Sequence, residues 1–470
     1  MNHDTDNGLQ PLPTLVVGLG ETGLSCARHL ARQGVPLAVT DSRARPPGLE
    51  ALRAELPAVQ AHVGGFDAEQ FAWAQRLVVS PGVALSEPLI AAAQERGVEV
   101  LGDIELFARE ARAPIVAITG SNGKSTVTAL LGEMASNAGR EVRVGGNIGT
   151  PALALLGDSE PDLYLLELSS FQLETTHNLN AAAAAVLNIS PDHLDRYASL
   201  ADYVASKQRI LAPGLLRPGG VAVVNRDDPR VVAMLADRSG KTLSFGLGAP
   251  GEGQFGRITR NGETWLARGT EALLPVTALA MAGEQAQANA LAALALGEAI
   301  GEAIGEVTEL PIAAMLATLQ SFPGLAHRTQ FVAETNGVRW INDSKGTNVG
   351  ATLAAVQGLP GPLLLIAGGQ AKGADFSPLA DALRDKVRAL ILLGEDAARL
   401  EEALGDAAPV HHAADMSDAV HQAQQLAAPG DTVLLSPACA SFDMFSGFAA
   451  RGEAFMAAVH ALASDAGGGR

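Results

Sequence analysis

The amino-acid sequence predicts an α/β protein of three domains, each built around a mainly parallel sheet. Its 470 residues are about three times the length of a typical domain. Apolar runs of strand length alternate along the chain with Ala- and Leu-rich runs of helical type, which is the pattern of parallel strands joined by helices. The apolar runs are nearly continuous, as expected for strands that are buried on both faces of a sheet.

The first predicted domain covers residues 1–112. It begins with a strand at Thr14, which a glycine-rich turn and a helix near residues 24–33 follow. Its further predicted strands are residues 36–41, 76–79 and 98–101. The first dozen residues are polar and acidic, and we expect them to be disordered.

The second predicted domain covers residues 113–324 and ends near the turn residues Pro323 and Gly324. An Ala-rich helix is predicted at residues 287–300, close to that boundary. The predicted strands are residues 115–119, 163–168, 182–189, 220–225 and 242–245, with short strands within 255–266.

The third predicted domain covers residues 325–470. Helices are expected between its strands, and the tail at residues 464–470 is expected to be frayed. The predicted strands are residues 338–343, 363–369, 389–394 and 431–436.

The composition limits the class of protein. A hydrophobic content of 47% suffices for packed cores, and the net charge of −18 disfavours nucleic acid as a partner. No uninterrupted apolar run reaches the roughly 18 residues of a membrane span, and residues 1–10 lack the features of a secretion signal. The two cysteines, Cys26 and Cys439, are expected to be reduced and buried, which suits a cytoplasmic protein.

The most informative motif follows the strand that begins at Ile115. A glycine-rich turn leads into Lys124-Ser-Thr126, which opens a helix. Backbone N–H groups of such a turn bind phosphate, the lysine adds a positive charge, and the Ser125 or Thr126 hydroxyl suits a phosphate-bound Mg²⁺. Ile118 occupies the position of the first glycine in the common phosphate-binding loop, so this loop is a shortened variant.

A second glycine-rich turn, Gly18-Leu-Gly-Glu-Thr-Gly23, lies between the first strand and its helix. Asp41 ends the next strand, where a ribose contact is expected. This pattern is typical of a nicotinamide-dependent oxidoreductase, but a UDP-linked substrate presents a similar pyrophosphate. The motif alone therefore leaves the nucleotide open.

Polar residues follow several other predicted strands. Glu167 is a candidate Mg²⁺ ligand at a strand end, and His193 is a candidate metal ligand in an acidic turn. Lys207 lies on a predicted helix and, taken alone, is expected to be solvated. In the third domain, Arg328 at the domain junction is a candidate contact for a phosphoryl group, and Asp343 is a candidate contact for ribose hydroxyls. Lys345 and Thr347 are candidates for binding phosphate or carboxylate. The other candidates are Lys372 in a glycine-rich turn and the small polar and aromatic residues of 436–448. Because several polar loops each follow a predicted strand, we expect them to line one shared cleft.

Together these motifs resemble the Mur ligases of bacterial peptidoglycan synthesis. Within that family they are most similar to the member that adds D-glutamate to UDP-N-acetylmuramoyl-L-alanine. The resemblance spans nearly the whole chain and is carried by residues 18–25, 120–126, 145–149, 166–175, 192–197, 340–345, 347–348 and 436–443.

The resemblance implies a Rossmann-like N-terminal domain for the UDP moiety, a central P-loop ATPase-type domain for ATP and Mg²⁺, and a Rossmann-like C-terminal domain for the amino acid. It implies ATP-driven amide formation through an acyl phosphate and a tetrahedral intermediate, with two Mg²⁺ ions and no nucleic acid or membrane partner. A monomer is expected.

The resemblance also implies roles for individual residues. The implied catalytic residues are Lys124, His193, Lys207 and Arg328. The implied ATP contacts are Gly120, Ser121, Asn122, Gly123, Lys124, Ser125, Thr126, Asn289, Asp343 and Lys345. The implied metal ligands are Ser125, Glu167, His193 and, if carbamylated, Lys207. The implied contacts to the UDP-linked substrate and D-glutamate are Thr22, Ser42, Arg43, Ser80, Asn147, Ser169, Thr347, Lys372, Ser441 and Phe448.

One departure and three alternatives remain at this stage. Gln285-Ala286 stands where related ligases often carry His-Asn, which leaves the contacts on the adenine side of the ATP site open. The alternatives are a related Mur or folylpolyglutamate-type ligase with another amino acid, an NAD-dependent oxidoreductase, and a nucleotide-binding regulator without catalysis.

Overall fold

We describe the protein from a computed structural model, which covers residues 12–236, 238–281, 283–305 and 309–467. Three separate sheets follow one another along the chain, as predicted for a three-domain α/β protein. The residues 1–11 that were expected to be disordered lie outside this description. The last helix continues to Gly467, so the tail expected to be frayed is helical up to that residue; residues 468–470 lie outside the description.

The N-terminal sheet has five parallel strands in the order β3-β2-β1-β4-β5. The strands are β1 (Thr14–Val17), β2 (Leu37–Asp41), β3 (Gln60–Val63), β4 (Arg76–Val79) and β5 (Glu99–Leu101). The helices are α1 (Glu21–Arg32), α2 (Leu49–Glu55), α3 (Ala68–Trp73), α4 (Pro88–Glu95) and α5 (Asp103–Glu110). The strand order reverses on the two sides of β1, so the crevice beyond β1 is the place where such folds bind ligands.

The central sheet has nine strands in the order β14-β13-β12-β11-β10-β9-β6-β8-β7. The strands are β6 (Ile115–Thr119), β7 (Val142–Gly146), β8 (Leu163–Glu167), β9 (Ala181–Val186), β10 (Leu216–Asn225), β11 (Thr242–Phe245), β12 (Phe255–Arg260), β13 (Glu263–Arg268) and β14 (Glu271–Pro275). The β12–β13 and β13–β14 pairs are antiparallel, and the other pairs are parallel.

The helices of the central domain cover this sheet. They are α6 (Lys124–Asn137), α7 (Ser170–Glu174), α8 (Leu200–Gln208), α9 (Pro229–Ala233), α10 (Glu284–Ile304) and α11 (Ile312–Ser321), with short 3-10 turns at Ala152–Leu155, Arg209–Leu211 and Val276–Ala278. The Ala-rich α10 packs closely against α6, β9 and β10, because its small side chains let the backbones approach. Strands β6, β8 and β9 are buried along their whole length, and this burial fixes the edge from which the site loops emerge.

The C-terminal sheet has six strands in the order β15-β16-β20-β17-β18-β19, with β15 antiparallel to β16 and the rest parallel. The strands are β15 (Gln330–Thr335), β16 (Val338–Asn342), β17 (Leu363–Gly368), β18 (Val387–Leu393), β19 (Val410–His412) and β20 (Thr432–Leu435). The helices are α12 (Val349–Gly358), α13 (Ser377–Leu383), α14 (Ala397–Leu404), α15 (Met416–Leu426) and α16 (Phe448–Gly467).

Two further sequence predictions concern the whole chain. Cys26 and Cys439 are both free and buried, as predicted. No helix within the described residues has the length and apolar character that a membrane span requires.

Acidic residues of α5 join the first two domains. Both oxygens of the Glu105 carboxylate accept hydrogen bonds from the Asn178 segment, at 2.7 Å from the His177 N–H and 2.9 Å from the Asn178 side chain. Asp103 accepts a hydrogen bond from the Gln172 amide of α7 at 3.0 Å. These contacts hold the N-terminal domain on the central domain.

Candidate active site

The glycine-rich loop between β6 and α6 places a helix N-terminus at the edge of the central sheet. Gly123, the residue before the helix, has a φ of +82°, a conformation that side chains other than glycine rarely adopt. The Lys124 Nζ atom donates to the carbonyl oxygens of Gly120 at 2.9 Å and Ser121 at 3.0 Å. The loop and the lysine thus lie together at a helix N-terminus, an arrangement that suits an anion.

Glu167, at the end of the neighbouring strand β8, is buried beside this loop. Its Oε1 atom accepts a hydrogen bond from the Asn147 side chain at 2.7 Å. Its Oε2 atom is buried and has no hydrogen-bond partner among the described residues. An unpartnered buried carboxylate oxygen is costly unless a cation binds it, so Glu167 fits a divalent metal.

The Ser125 hydroxyl lies on the same loop and accepts a hydrogen bond from Arg328 Nη2 at 2.6 Å. Arg328 belongs to the C-terminal domain, so this contact crosses the domain junction. Burial lowers the pKa of Arg328, while Glu167 and Asp343 oppose this effect.

Lys207 on α8 contradicts the prediction of a solvated lysine, because its side chain is only 2% exposed. Its Nζ atom donates to the Gly120 carbonyl at 2.8 Å and lies 4.8 Å from the centre of the Tyr203 ring. Burial, and then the nearby Lys124 charge, lower the pKa of Lys207 well below its ordinary value. The helix face that bears Lys207 is covered by the phosphate loop, which the helix pattern alone does not reveal.

His193 lies in the acidic turn after β9, with a left-handed backbone (φ +55°). Its ring centre is 4.8 Å from that of Phe171, and its Nε2 atom is 3.8 Å from an Asp192 oxygen. Burial lowers the pKa of His193, which favours the neutral form that can bind a metal. Among the described residues, no group of three or more His, Cys, Asp or Glu side chains forms a metal cluster, so a metal here would also need hydroxyl, lysine-derived or water ligands.

The C-terminal domain contributes Lys345, whose Nζ atom lies 3.9 Å from the centre of the Phe448 ring. Burial, together with Arg328 and Lys124, lowers the pKa of Lys345 to about 8. Asp343 accepts hydrogen bonds from the Thr329 N–H at 3.0 Å and the Ser436 hydroxyl at 2.8 Å, and burial raises its pKa to about 6. Both carboxylate oxygens of Asp343 thus have protein partners in addition to any ribose hydroxyl.

A central cavity of about 300 Å³ gathers most of the predicted residues. The predicted residues that line it are Ser121, Asn122, Gly123, Lys124, Ser125, Asn147, Glu167, Ser169, His193, Lys207, Arg328, Lys345, Thr347, Lys372, Ser441 and Phe448. Gly120 lies behind this wall and accepts from both Lys124 and Lys207. Within a protein of net charge −18, this concentration of lysine and arginine suits a polyanionic substrate.

A second cavity of about 300 Å³ adjoins the phosphate loop at the junction of the central and C-terminal domains. Thr126, Asn289, Asp343 and Lys345 line it, as does Gln285 from the segment that departs from the family pattern. The Gln285 amide donates to the Asn289 Oδ1 atom at 3.1 Å. Gln285, the first residue of the departing Gln285-Ala286 pair, is therefore hydrogen-bonded to Asn289 in this wall.

A cleft of about 620 Å³ opens beyond β1 of the N-terminal domain. The predicted residues that line it are Thr22, Ser42, Arg43, Ser80 and Asn147. Asn147 lines both this cleft and the central cavity, so the two cavities lie next to each other.

Asp41 in this cleft is held by the protein itself. Its carboxylate accepts from the Leu19 N–H at 2.7 Å and pairs with the Arg43 guanidinium at 2.7 Å. Hydrogen bonds from Arg43 and Leu19 lower the pKa of Asp41, although burial acts in the opposite direction. In the oxidoreductase alternative this carboxylate would bind a ribose. In the structure it is instead bound to Leu19 and Arg43 of the protein itself.

Sequence reasoning did not identify several residues that shape the site. Asn188 accepts a hydrogen bond from the Asn122 N–H at 2.8 Å, and the Tyr203 and Ser121 hydroxyl groups lie 3.0 Å apart. Arg451, on the last helix, contacts three site loops. The position of Asn188 near a strand end was a weak indication in the sequence of a site residue. Tyr203 and Arg451 lie within helices and belong to no motif, so nothing in the sequence marks them as site residues.

Comparison with solved structures finds the same architecture. The MurF ligase of Thermotoga maritima, in complex with ADP, matches with a TM-score of 0.58 at 16% identity, covering 91% of this chain and 95% of that chain. At this level of identity the match shows the fold alone.

Sequence comparison finds much closer relatives. The UDP-N-acetylmuramoylalanine--D-glutamate ligase of Nitrosococcus oceani is 56% identical over 453 residues, which are 96% of this chain and 97% of the relative. The enzyme of the same name from Pseudomonas aeruginosa is 52% identical over 453 residues, 96% of this chain and 98% of the relative.

Family models cover all three domains. Residues 13–102 match the N-terminal domain of MurD-like Mur ligases, residues 118–297 match the Mur ligase middle domain, and residues 327–439 match the glutamate ligase domain of Mur ligases. The three matches lie in the order that the three sheets have along the chain. The chain therefore belongs to the Mur ligase family.

Proposed function

We propose that this protein is an ATP-dependent ligase that joins D-glutamate to UDP-N-acetylmuramoyl-L-alanine. The observation that carries the proposal is the central cavity, where the phosphate loop and the unpartnered Glu167 oxygen meet cationic residues of the C-terminal domain. The cavity shares the lining residue Asn147 with the cleft of the N-terminal domain. The names of relatives that are 52–56% identical supply the substrates.

Each domain has one task in this proposal. Residues 1–112 bind the UDP moiety in the cleft lined by Thr22, Ser42, Arg43 and Ser80. Residues 113–324 bind ATP and Mg²⁺, and residues 325–470 bind D-glutamate. One chain supplies every residue of the site, so a monomer suffices, and nucleotide substrates are consistent with a cytoplasmic enzyme.

In the first step the alanyl carboxylate of the UDP-linked substrate attacks the γ-phosphorus of ATP. The bond to the β,γ-bridging oxygen breaks, giving an acyl phosphate and ADP. Lys124 and Arg328 lie where they can hold the transferred phosphoryl group, while Asn289 and Lys345 contact the nucleotide. The protein contributes mainly positioning and charge stabilisation.

Glu167, Ser125 and His193 would hold two Mg²⁺ ions, together with Lys207 in carbamylated form. The low pKa of Lys207 supports this role, because only a neutral amine adds CO₂. Bound Mg²⁺ would neutralise negative charge on the phosphoryl oxygens. The unpartnered Glu167 Oε2 atom is the structural observation that supports a metal at this position.

In the second step the D-glutamate amine attacks the acyl carbon. A tetrahedral intermediate forms, and its C–O bond to phosphorus then breaks so that phosphate leaves with that oxygen. The nitrogen gives up one proton, which the departing phosphate takes, as the new amide forms. Thr347, Lys372, Ser441 and Phe448 line the central cavity from the C-terminal domain. The first three would hold the two carboxylates of D-glutamate, and the Phe448 ring would contact its carbon chain. Ser169 also lines the central cavity and is the remaining proposed substrate contact there.

The decisive experiment is an amino-acid panel with ATP and UDP-N-acetylmuramoyl-L-alanine, following phosphate release. Release that depends on D-glutamate alone supports the proposal, and Glu167→Gln serves as the inactive control. Release with a different amino acid would indicate a related ligase, and no release with any amino acid would refute the proposed activity.

A further inference from the structure

Arg451 lies in the first turn of α16 and is almost completely buried, with 2% of its surface exposed. Among the described residues, no carboxylate lies within ion-pair distance of its guanidinium. Burial lowers its pKa to about 10, so the group stays charged at neutral pH. A buried cation of this kind is costly unless other groups solvate it.

Backbone carbonyls and one hydroxyl supply that solvation. The Nε atom donates to the Ser344 hydroxyl at 3.0 Å, and Nη2 donates to the carbonyls of Ser344 at 2.9 Å and Cys439 at 3.1 Å. Nη1 donates to the carbonyls of Gly368 at 3.3 Å and Ala440 at 3.4 Å. All five N–H groups of the planar guanidinium therefore have acceptors.

These acceptors lie in three different segments: the loop after β16, the last residue of β17, and the loop after β20. Each segment leads into a residue of the proposed amino-acid site: Thr347 lies three residues after Ser344, Lys372 lies four residues after Gly368, and Ser441 directly follows Ala440. A single guanidinium thus fixes the mutual spacing of the three groups that face the cavity.

The helix that bears Arg451 is itself tied to the site. The Phe448 carbonyl accepts from the Ser344 hydroxyl at 2.8 Å, and the Phe448 ring lies against Lys345. Gly452, on the other side of Arg451, packs so closely on the His327 ring that an added Cβ atom would lie 2.2 Å from its Nδ1 atom. Arg451 is therefore held on a rigid support.

We propose that Arg451 is a positioning residue that sets the spacing of the three amino-acid-binding loops, and hence the affinity for D-glutamate, without touching the substrate. Arg451 is not among the residues that line the central cavity. The inference rests on the proposed function, because it concerns the amino-acid half of that site.

The test compares Arg451→Lys and Arg451→Met with the wild type and with Arg384→Met, an exposed arginine that pairs with Asp381 on the surface of the same domain. Lysine keeps the charge but lacks the planar fork, so it cannot hold three loops at once. We expect both Arg451 variants to raise the KM for D-glutamate at least about tenfold, because small misplacements of binding groups are costly. The KM for the UDP-linked substrate should stay within about twofold, and Arg384→Met should match the wild type. The KM for ATP should rise less than that for D-glutamate, because only the Ser344 segment also carries proposed nucleotide contacts.

The outcomes separate the two proposals. A wild type without D-glutamate-dependent turnover refutes the proposed function. An active wild type with an unchanged KM for D-glutamate in either folded Arg451 variant overturns the inference, even if thermal unfolding shows lower stability. Equal increases in all three KM values also overturn it, and so does a failure of both variants to fold, because Arg451 would then stabilise the domain as a whole.

Discussion

At the scale of single residues, Glu167 combines full burial with one satisfied and one unsatisfied carboxylate oxygen. Glu167→Gln keeps the shape but weakens the affinity for a cation. We expect kcat to fall about 100-fold, because loss of a metal-binding contact has effects of this size. The free energy of unfolding should fall, because the Glu167 charge offsets the buried cations Lys124 and Arg328.

Phosphate release as a function of Mg²⁺ concentration measures the effect. Glu133→Gln, on an exposed position of α6, is the matched control and should behave as the wild type. A wild-type rate for Glu167→Gln at every Mg²⁺ concentration would argue against a metal at this carboxylate.

Lys207 shows what the sequence could not predict at this scale. A lysine within a helix is normally solvated, and its burial depends on a loop that lies more than eighty residues earlier in the chain. For Asp41 the sequence correctly predicted the position at a strand end beside the glycine-rich turn. The expected ribose contact is not what its carboxylate makes, because its hydrogen-bond partners are Leu19 and Arg43. In both cases the deciding contact is tertiary, and only resemblance or structure reveals it.

At the scale of secondary-structure elements, the phosphate loop depends on the left-handed conformation of Gly123. An added Cβ atom at this residue would lie 2.6 Å from the Asn289 Oδ1 atom. Gly123→Ala should destabilise the protein by about 1–2 kcal/mol and also raise the KM for ATP at least about tenfold.

Gly139 provides a matched control, because it has a φ of +78° and no atom within 4 Å of an added Cβ. Gly139→Ala should lower the unfolding free energy by a similar amount and leave the KM for ATP unchanged. Chemical denaturation and steady-state kinetics measure both variants, and an unchanged KM in Gly123→Ala would show that the loop tolerates the side chain.

The contact between α5 and α7 predicts a pH dependence of stability. Burial raises the pKa of Asp103 from 3.8 to about 6, its Oδ2 atom accepts from Gln172, and its Oδ1 atom has no partner among the described residues. The Asp103 carboxyl keeps its proton to a higher pH in the folded state than in the unfolded state. The free energy of unfolding therefore falls as the pH rises from 3.8 to about 6. Above this range, the ionised carboxyl costs about 2–3 kcal/mol.

Asp103→Asn removes this cost. The difference in unfolding free energy between this variant and the wild type should be smallest near about pH 3.5, below both pKa values, and should increase toward pH 7.5. Urea unfolding at each pH measures this difference. Asp158→Asn, at an exposed position, should show no such trend. A difference that is constant with pH would contradict the assigned cause.

The sequence predicted the buried strands of all three sheets but missed β3, β7, β14, β15 and β19. Each of these five strands lies at the edge of its sheet. Edge strands are partly exposed, so they lack the continuous apolar run that identifies a central strand. The predicted fold class was correct because it depends on the central strands.

At the scale of the whole molecule, the site exists only where three domains meet. The sequence placed a candidate loop on each domain, but the shared cavity required the domain arrangement. Arg328 reaches across the junction to Ser125, and Asn348 contacts Asp192 at 3.0 Å. These contacts can reorganise when nucleotide binds, which is consistent with closure of the C-terminal domain as part of the proposed mechanism.

We therefore expect ATP and the UDP-linked substrate together to reduce the radius of gyration in small-angle scattering. Arg328→Met should weaken this change, because it removes the side chain that crosses the junction. Identical scattering curves with and without both ligands would count against a large closure.

The two buried thiols have a practical consequence for such measurements. Burial raises the pKa of Cys26 well above its ordinary value and that of Cys439 to about 12. Thiol-directed dyes react with exposed thiolates, so the native cysteines should stay silent during labelling. Surface cysteines introduced on two domains can then carry a fluorophore pair in the otherwise natural protein, and energy transfer between them would follow the domains during turnover.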